Sequence, residues 1–189
     1  YTLTLKFLKL SADTLSKIDI RRYARRYLEQ IPKITGETVH LVERNGNETV
    51  YIDKFESAVN SVRMVSRVGL SLPMVYTAVG KALMSHLDDE EIRKIWDSSD
   101  VCKKTGKTIT DFGVFMEEIR KVRENGYAAD REENEEGVCC VAAALPDVYG
   151  EYRYAFSVSA PSSRMSEEKI AEIGRLVTET AAKIGCRDE

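Results

Sequence analysis

The sequence lacks the features that mark membrane, secreted and metal-binding proteins. Its 189 residues contain only two histidines, which excludes a histidine-rich metal site. No apolar run is long enough to span a bilayer, and no signal-peptide core is present. The four cysteines have no metal-type spacing and fit a reducing cytoplasm better than a disulfide framework: they are Cys102, Cys139, Cys140 and Cys186. We therefore expect a cytoplasmic protein with no membrane partner, no metal and no cofactor.

The sequence also lacks a strong excess of charge of one sign, and it is poor in proline. The formal net charge is -3, and there are four prolines. This balance argues against a free-standing nucleic-acid-binding protein. With 43% apolar residues, the chain can bury a sizeable core in one large domain or two small ones. Because the sequence begins at Tyr1 and not at Met, we expect that a segment of a longer protein precedes it.

Hydrophobic periodicity predicts an α+β domain with a largely antiparallel sheet. The strongest local signal is Asn45-Gly46 between two alternating segments, which is typical of a β-hairpin. A further strand is predicted at residues 61–68, and Thr77 is predicted to cap a helix. The other predicted helices are residues 12–32, 88–97 and 110–125 and a last helix capped by Ser166.

Residues 126–164 hold an acidic loop and two predicted strands joined at residues 147–150. In the second strand one face is bulky and the other is mostly small. The bulky face carries Tyr152, Tyr154, Phe156 and Val158, and the other carries Arg153, Ala155, Ser157 and Ser159. In the first strand Cys140, Ala142 and Ala144 are all small. Such a face either lets a helix pack closely or forms the floor of a pocket that holds a polar ligand.

The start of the helix after Thr77 is a second candidate for ligand contact. Its free backbone N–H groups and the positive end of the helix dipole suit a carboxylate or a phosphate, although every capped helix has such an end. Gly80-Lys81 is similar to part of a P-loop, but the first glycine of that motif is missing and Ala82 replaces its Ser or Thr. The sequence therefore excludes a P-loop.

Three other groups of polar residues have a simple interpretation beside a functional one. The clustered Arg21, Arg22, Arg25 and Arg26 fit a solvated helix face paired with acids better than a phosphate-binding strip. His40 has no carboxylate or cysteine at ligand spacing, so we expect a surface or partly hydrogen-bonded histidine. Cys139 and Cys140 suggest thiol redox chemistry with Cys102, but adjacent cysteines on a strand point to opposite faces. No histidine lies near them in sequence to stabilise a thiolate.

Three stretches of the chain resemble the effector-binding domain of IclR-type bacterial transcriptional regulators. They are TGETVHLVERNG with VYIDKFES (35–57), LPMVYTAVGKALMSHL (72–87) and GYAADREENEEGVCCVAAALPD with SVSAPSSR (126–164). The resemblance covers the chain from about residue 5 onward. It implies that residues 1–8 are the remnant of a missing N-terminal winged-helix DNA-binding domain and that residues 9–189 form the effector-binding domain.

The resemblance implies a GAF-like (profilin-like) fold, with helices on the faces of a largely antiparallel central sheet. It also implies a site for a small metabolite, whose carboxylate contacts the N–H groups of Ala78 and Val79. The polar walls would be Asp130, Cys140, Ser157 and Ser159, and the apolar walls Met64 and Leu72. The family often has Gly-Ala where this chain has Ala78-Val79, so we expect a narrower or reshaped pocket. Tyr76 is expected to reach inward as well.

These observations favour a ligand-sensing domain that is not an enzyme. The resemblance implies a repressor that binds a small carboxylic acid, such as a 2-keto or sugar acid. Binding would change the contact with DNA, made only through the missing domain, by rearranging a homodimer or homotetramer. Two alternatives stay open: a GAF-like thiol redox enzyme that uses Cys140, and an oligomerisation module whose pocket is vestigial.

Overall fold

A six-stranded antiparallel sheet with helices on both faces forms the centre of the protein. The computed structural model describes residues 19–57, 66–147 and 149–186. The strand order across the sheet is β3-β2-β1-β6-β5-β4. The elements are α1 (Asp19–Leu28), α2 (Ile31–Thr35), β1 (Thr38–Asn45), β2 (Glu48–Phe55), β3 (Ser71–Pro73), a 3-10 turn (Met74–Tyr76), α3 (Ala78–Met84), α4 (Asp89–Ser98), α5 (Phe112–Asn125), β4 (Ala128–Arg131), β5 (Val138–Pro146), β6 (Tyr152–Pro161), a second 3-10 turn (Ser162–Arg164) and α6 (Glu167–Gly185).

The predicted α+β fold with an antiparallel sheet is confirmed. The hairpin at Asn45-Gly46 joins β1 to β2, and Gly46 adopts a φ of 63° that this turn requires. The predicted strand at residues 61–68 falls partly outside the described residues. Of its described part, residues 66–68 are not in a strand, and the edge strand is β3 instead, at Ser71–Pro73.

The helices begin and end close to the predicted positions because their caps are encoded locally. The side chains of Asp88, Asp111 and Ser166 accept hydrogen bonds from the first turns of α4, α5 and α6. The predicted helix at residues 12–32 differs, since its described part ends at Leu28 and a second short helix follows. Pro32 lies in the first turn of α2, where the N–H that proline lacks would have no partner in the helix.

Each face of the sheet covers its own hydrophobic core. Phe156 and Val158 of β6 point to the core beneath α1, α2 and α6, whereas Ala155 points to the core beneath α3, α4 and α5. Tyr152 was predicted on the same face as Phe156, and that prediction is wrong. A register shift at Leu145/Pro146 turns it to the opposite face.

The arginines of α1 lie at the edge of the core beneath α1, α2 and α6, where they form ion pairs and ring contacts. Arg21 and Arg25 both contact the buried carboxylate of Asp53, at 3.1 and 3.3 Å. The Arg26 guanidinium lies over the rings of two tyrosines of the same helix. These contacts support the interpretation of a paired helix face over that of a phosphate-binding strip.

Close packing of α3 on the sheet depends on small residues in both partners. On the sheet side, Ala142, Ala144 and Ala155 are buried in the core beneath α3. Within α3, a Cβ at Gly80 would overlap the backbone of Met74 in the preceding turn. The close approach to Met74 therefore requires a glycine at position 80, and phosphate binding is not needed to explain it.

We predict that Gly80→Ala destabilises the protein although alanine favours helices. The overlap of the new Cβ with the backbone of Met74 is expected to lower the free energy of unfolding by about 1–3 kcal/mol, as overpacking does. This loss outweighs the gain in helix propensity from glycine to alanine. Urea denaturation measures the loss. Gly106→Ala is the matched control, because a Cβ at Gly106 meets no atom within 4 Å. Equal stability of the two variants would contradict the prediction.

Candidate ligand-binding cavity

A cavity of about 700 Å³ lies on the α3 side of the sheet. Its floor is formed by β1, β5 and β6, one side by residues 66–79, and the other by the acidic loop that follows β4. The residues that line it are His40, Tyr51, Ser66, Arg67, Leu70, Leu72, Thr77, Val79, Asp130, Asn134, Glu135, Gly137, Val138, Cys140, Ser157, Ser159 and Pro161. A cavity of this size suits a small metabolite.

The floor carries short polar side chains because three strands present the same face. Strand pairing sets Cys140 opposite Ser159 and Ser157 opposite His40. The Cys140 thiol donates to Ser159 Oγ over 3.1 Å, and Ser159 Oγ also lies 3.2 Å from His40 Nδ1. These contacts fix the orientation of the polar groups that face the cavity.

His40 is a cavity residue that the sequence prediction missed. It is 2% exposed and both ring nitrogens have hydrogen-bond partners, so the expectation of a surface histidine is wrong and the alternative of a hydrogen-bonded histidine is correct. Its Nε2 lies 2.5 Å from Ser66 Oγ, and its ring meets the Tyr51 ring edge-on. Burial, and then the nearby ammonium of Lys54, lowers the pKa of His40 to about 3. The alternation along β1 was the signal, because it places His40 on the face opposite Val39 and Leu41.

The side of the cavity that faces the floor comes from β3 and the start of α3. Leu72 and Val79 supply apolar surface. Thr77 Oγ1 accepts a hydrogen bond from the Gly80 N–H, as the predicted cap requires. Ala78 is buried in the core and its side chain does not line the cavity.

Tyr76 points away from the cavity, contrary to the expectation that it reaches inward. Its hydroxyl accepts a hydrogen bond from the Cys102 N–H at 2.8 Å, and Lys104 Nζ lies over its ring. Val79 therefore lines the cavity and Tyr76 does not, and the expectation of a narrower pocket stays a prediction.

Asp130 reaches the cavity from β4, where it pairs with Cys140 of β5. The side chain is nearly buried, with 4% of the residue exposed, and its Oδ1 accepts from the Glu133 N–H at 2.7 Å. Burial, and then the negative charge of Glu133, raises the pKa of Asp130 to about 7, while Lys81 opposes the rise. This carboxyl group therefore changes protonation near neutral pH.

A buried ion pair lies directly behind Asp130. Lys81 of α3 is 0% exposed, and its Nζ lies 2.7 Å from each carboxylate oxygen of Glu133. Glu133 also accepts from the Arg131 N–H. The pair joins α3 to the acidic loop, and it explains why Lys81 is not free to contact a phosphate as the lysine of a P-loop would.

Two threonines from the segment between α4 and α5 hold the backbone of the acidic loop at Glu132 and Glu133. Thr105 Oγ1 donates to the Glu132 carbonyl at 2.6 Å, and Thr108 Oγ1 donates to the Glu133 carbonyl at 2.7 Å. Lys107 forms an ion pair with Glu132 on the surface. Together these contacts fix the backbone on which Asp130 and Glu133 sit.

The cysteines are not arranged for thiol redox chemistry. Cys139 lies in the core on the opposite face of the sheet from Cys140, as expected for neighbours on a strand. Burial, and then the Asp130 charge, raises the pKa of the Cys140 thiol above its usual range. The thiol therefore stays protonated at neutral pH and serves as a hydrogen-bond donor.

The structure brings most of the predicted site residues to one cavity. Those that line it are Leu72, Val79, Asp130, Cys140, Ser157 and Ser159. Ala78 is not among the lining residues, and Met64 lies outside the described residues. His40, Tyr51 and Thr77 were not predicted as cavity residues.

The described ranges give no sign of a metal centre or a membrane helix. They hold no group of three or more His, Cys, Asp or Glu side chains that could bind a metal ion. None of the helices in these ranges has both the length and the apolarity that crossing a bilayer requires.

Comparison with known proteins gives a consistent result. The family described as bacterial transcriptional regulator IclR, C-terminal, matches residues 12–186. The chain is 35% identical over 187 residues to the HTH-type transcriptional regulator KdgR of Escherichia coli, which covers 99% of this chain and 71% of KdgR. It is 35% identical over 166 residues to the HTH-type transcriptional repressor AllR of the same species, which covers 88% of this chain and 61% of AllR. These relatives are named as transcriptional regulators and not as enzymes.

Solved structures show the same relationship. The crystal structure of IclR from Thermotoga maritima superposes with a TM-score of 0.89 at 36% identity, covering 98% of this chain and 74% of that one. The inducer-binding domain of a PobR double mutant from Acinetobacter, in complex with 3-hydroxybenzoic acid, superposes with a TM-score of 0.78 at 25% identity. That match covers 87% of this chain and 96% of the PobR chain. The IclR C-terminal domains have a GAF-like fold, so the fold expected from the resemblance is confirmed.

We predict that Lys81→Met lowers the free energy of unfolding by about 3–5 kcal/mol, because it leaves the Glu133 carboxylate buried without its partner. Urea denaturation measures the loss. Lys94→Met is the matched control, because Lys94 pairs with Glu90 on an exposed face and such pairs contribute about 0.5 kcal/mol or less. A loss at Lys81 no larger than the loss at Lys94 would show that the buried pair does not hold α3 to the loop.

We predict that the stability of the protein falls relative to that of Asp130→Asn as pH rises from about 4 to about 7. The folded state binds the Asp130 proton more tightly than the unfolded state does, so stability is highest below the unfolded pKa and is lost up to the folded pKa. The difference reaches a few kcal/mol, since a tenfold change in proton affinity corresponds to about 1.4 kcal/mol. Urea denaturation of both proteins at several pH values measures it, and parallel pH profiles would contradict the prediction.

Proposed function

Because this chain belongs to the IclR family of bacterial transcriptional regulators and matches its C-terminal domain over residues 12–186, we propose that its cavity binds a small carboxylic acid. The acid would be the effector of a transcriptional repressor. The single observation that carries the proposal is the cavity of about 700 Å³, which has serine hydroxyls and a protonated thiol on its floor and the carboxyl group of Asp130 beside them. Apolar Leu72 and Val79 face that floor, so the ligand has a polar side and an apolar side.

The carboxylate of the ligand is proposed to lie at the start of α3. The N–H groups of Ala78 and Val79 belong to the first turn of that helix, whose N–H groups have no carbonyl partner within the helix. A negative charge at such a position gains about 0.3–1 kcal/mol from the helix dipole, in addition to the charge-assisted hydrogen bonds. Ser157 and Ser159 would complete the polar contacts from the floor.

Asp130 is proposed to contact a hydroxyl or carbonyl group of the same ligand. In its ionised form the carboxylate accepts a hydrogen bond from a hydroxyl group, and in its protonated form it donates one to an oxygen. Because the pKa of Asp130 is raised to about 7, both forms exist near neutral pH. A hydroxylated or hydrated acid therefore suits the cavity, and the complex of the PobR domain with 3-hydroxybenzoic acid supports this class of ligand.

The whole protein is proposed to act on DNA through a domain that precedes this one. The chain spans 71% of KdgR and 61% of AllR, and these relatives are named as HTH-type regulators. Residues 1–8 are proposed to be the end of that DNA-binding domain. Ligand binding changes DNA contact only if it favours one arrangement of the domains, so we propose a cytoplasmic homodimer or homotetramer whose geometry depends on occupancy.

A thermal-shift and calorimetry panel tests the proposal with pyruvate, D-gluconate and 3-hydroxybenzoate. We expect at least one acid to raise the melting temperature, because a ligand that binds only the folded state stabilises it. Asp130→Ala, Ser157→Ala and Ser159→Ala are each expected to weaken binding about tenfold or more, since a hydrogen bond to a charged group contributes about 1.5–3 kcal/mol.

Ser163→Ala is the matched control, because Ser163 is exposed and lies outside the cavity. Tight acid binding that the three cavity variants leave unchanged would refute the site. A chain that no acid stabilises would instead fit the alternative of an oligomerisation module with a vestigial pocket.

A further inference from the structure

Four side chains that line the cavity, three on its floor and one on its side, form one continuous chain of hydrogen bonds. The Cys140 thiol lies 3.1 Å from Ser159 Oγ, Ser159 Oγ lies 3.2 Å from His40 Nδ1, and His40 Nε2 lies 2.5 Å from Ser66 Oγ. Three of the four residues come from strands of the sheet, and Ser66 lies in the segment that leads to β3. The directions of the two hydrogen bonds made by His40 depend on where the imidazole proton sits, whereas the Cys140 thiol donates to Ser159 in either case.

The imidazole of His40 is neutral, so it carries one N–H donor and one acceptor nitrogen. It is buried, and the Lys54 ammonium that pairs opposite it on β2 disfavours a second positive charge, although Glu56 acts in the other direction. The pKa of His40 is accordingly lowered to about 3. A neutral ring leaves two possible tautomers.

The two tautomers give Ser159 opposite roles. If the proton is on Nε2, the Ser159 hydroxyl donates to Nδ1 and offers the cavity only a lone pair. If the proton is on Nδ1, Ser159 Oγ accepts from both the His40 N–H and the Cys140 thiol. Both of its lone pairs are then occupied, and its own hydrogen is left to point into the cavity.

The distances favour the proton on Nδ1. An N–H donor typically lies 2.7–3.2 Å from an oxygen acceptor. The 3.2 Å contact between Nδ1 and Ser159 lies within that range, whereas the 2.5 Å contact between Nε2 and Ser66 is too short for it, so the N–H fits on Nδ1 and the Ser66 hydroxyl donates to Nε2. Both contacts therefore point to the same tautomer.

We propose that His40 is a positioning residue that fixes Ser159 as a hydrogen-bond donor into the cavity, so that this part of the floor selects a ligand oxygen that accepts, as in a carboxylate. The identity of the ligand rests on the proposed function, whereas the role of His40 rests on the hydrogen-bond chain. An alcohol group in place of the carboxylate would lose the charge-assisted hydrogen bond from Ser159.

Nitrogen-15 NMR of the full chain at pH 7 tests the tautomer without any ligand. The sequence has only two histidines, so a spectrum of His86→Gln assigns both rings. We expect a protonated-type signal for Nδ1 of His40 and a non-protonated signal for Nε2. The reverse pattern would overturn the proposal, because Ser159 would then donate to the ring.

Ligand selectivity gives a second and independent test. The probes are matched pairs in which an alcohol replaces the carboxylate: 3-hydroxybenzoate with 3-hydroxybenzyl alcohol, and pyruvate with hydroxyacetone. In the wild-type protein we expect the acid to bind more tightly than the alcohol. His40→Leu is expected to reduce that preference about tenfold, while His40→Asn, whose amide can still donate to Ser159, keeps it within about threefold.

A purely structural role for His40 would weaken acid and alcohol equally, and that result would refute the proposal. Circular dichroism and the melting temperature show whether each variant is folded, and the NMR test decides the matter if His40→Leu is not. If the wild-type protein binds none of the three acids of the panel, the proposed ligand class fails. The NMR test of the tautomer still shows whether His40 holds Ser159 as a donor.

Discussion

The buried ion pair between Lys81 and Glu133 is the contact on which the geometry of the cavity depends. It lies between α3 and the acidic loop, so it fixes the distance between the two elements that face each other across the cavity. An ion pair that is removed from water contributes little net stability against an apolar replacement, but either charge alone is very unfavourable. The pair therefore holds the helix start and Asp130 in one arrangement more than it stabilises the fold.

Small side chains on one face of the sheet serve two purposes at successive positions. Towards one end of β5 and β6, Ala142, Ala144 and Ala155 let α3 pack directly on the strands. Towards the other end, Cys140 and Ser159 lie beyond the helix start and line the cavity. The helix covers only part of this face. One part of the face therefore allows close packing and the other part forms the floor of a cavity, so each of the two interpretations describes one part of it.

Local patterns predicted the fold well, and long-range contacts account for the errors. Hairpin turns and helix caps depend on neighbours in sequence, so Gly46 and Ser166 could be placed without a structure. The burial of His40 in the cavity was not predicted because its partners Ser66 and Ser159 lie 26 and 119 residues away. Tyr152 was assigned to the wrong face because a register shift between Leu145 and Pro146 reverses the alternation of side chains along β6. No residue type in the sequence predicts such a shift. The burial of Lys81 could not be predicted either, since it requires Glu133 on a separate loop.

The charges of the cavity determine how the proposed anion would be held, because no buried cation among the described lining residues is there to bind it. Among the described lining residues the only lysine or arginine is Arg67, which is exposed, and the neighbouring Lys81 is already paired with Glu133. His40 stays neutral because its pKa is lowered to about 3. The carboxylate of the proposed ligand would therefore be stabilised by N–H and O–H donors, and an ionised Asp130 would repel it. Because the pKa of Asp130 is about 7, uptake of such an acid would draw a proton onto this group, and the occupancy of the cavity would then be coupled to pH near neutrality.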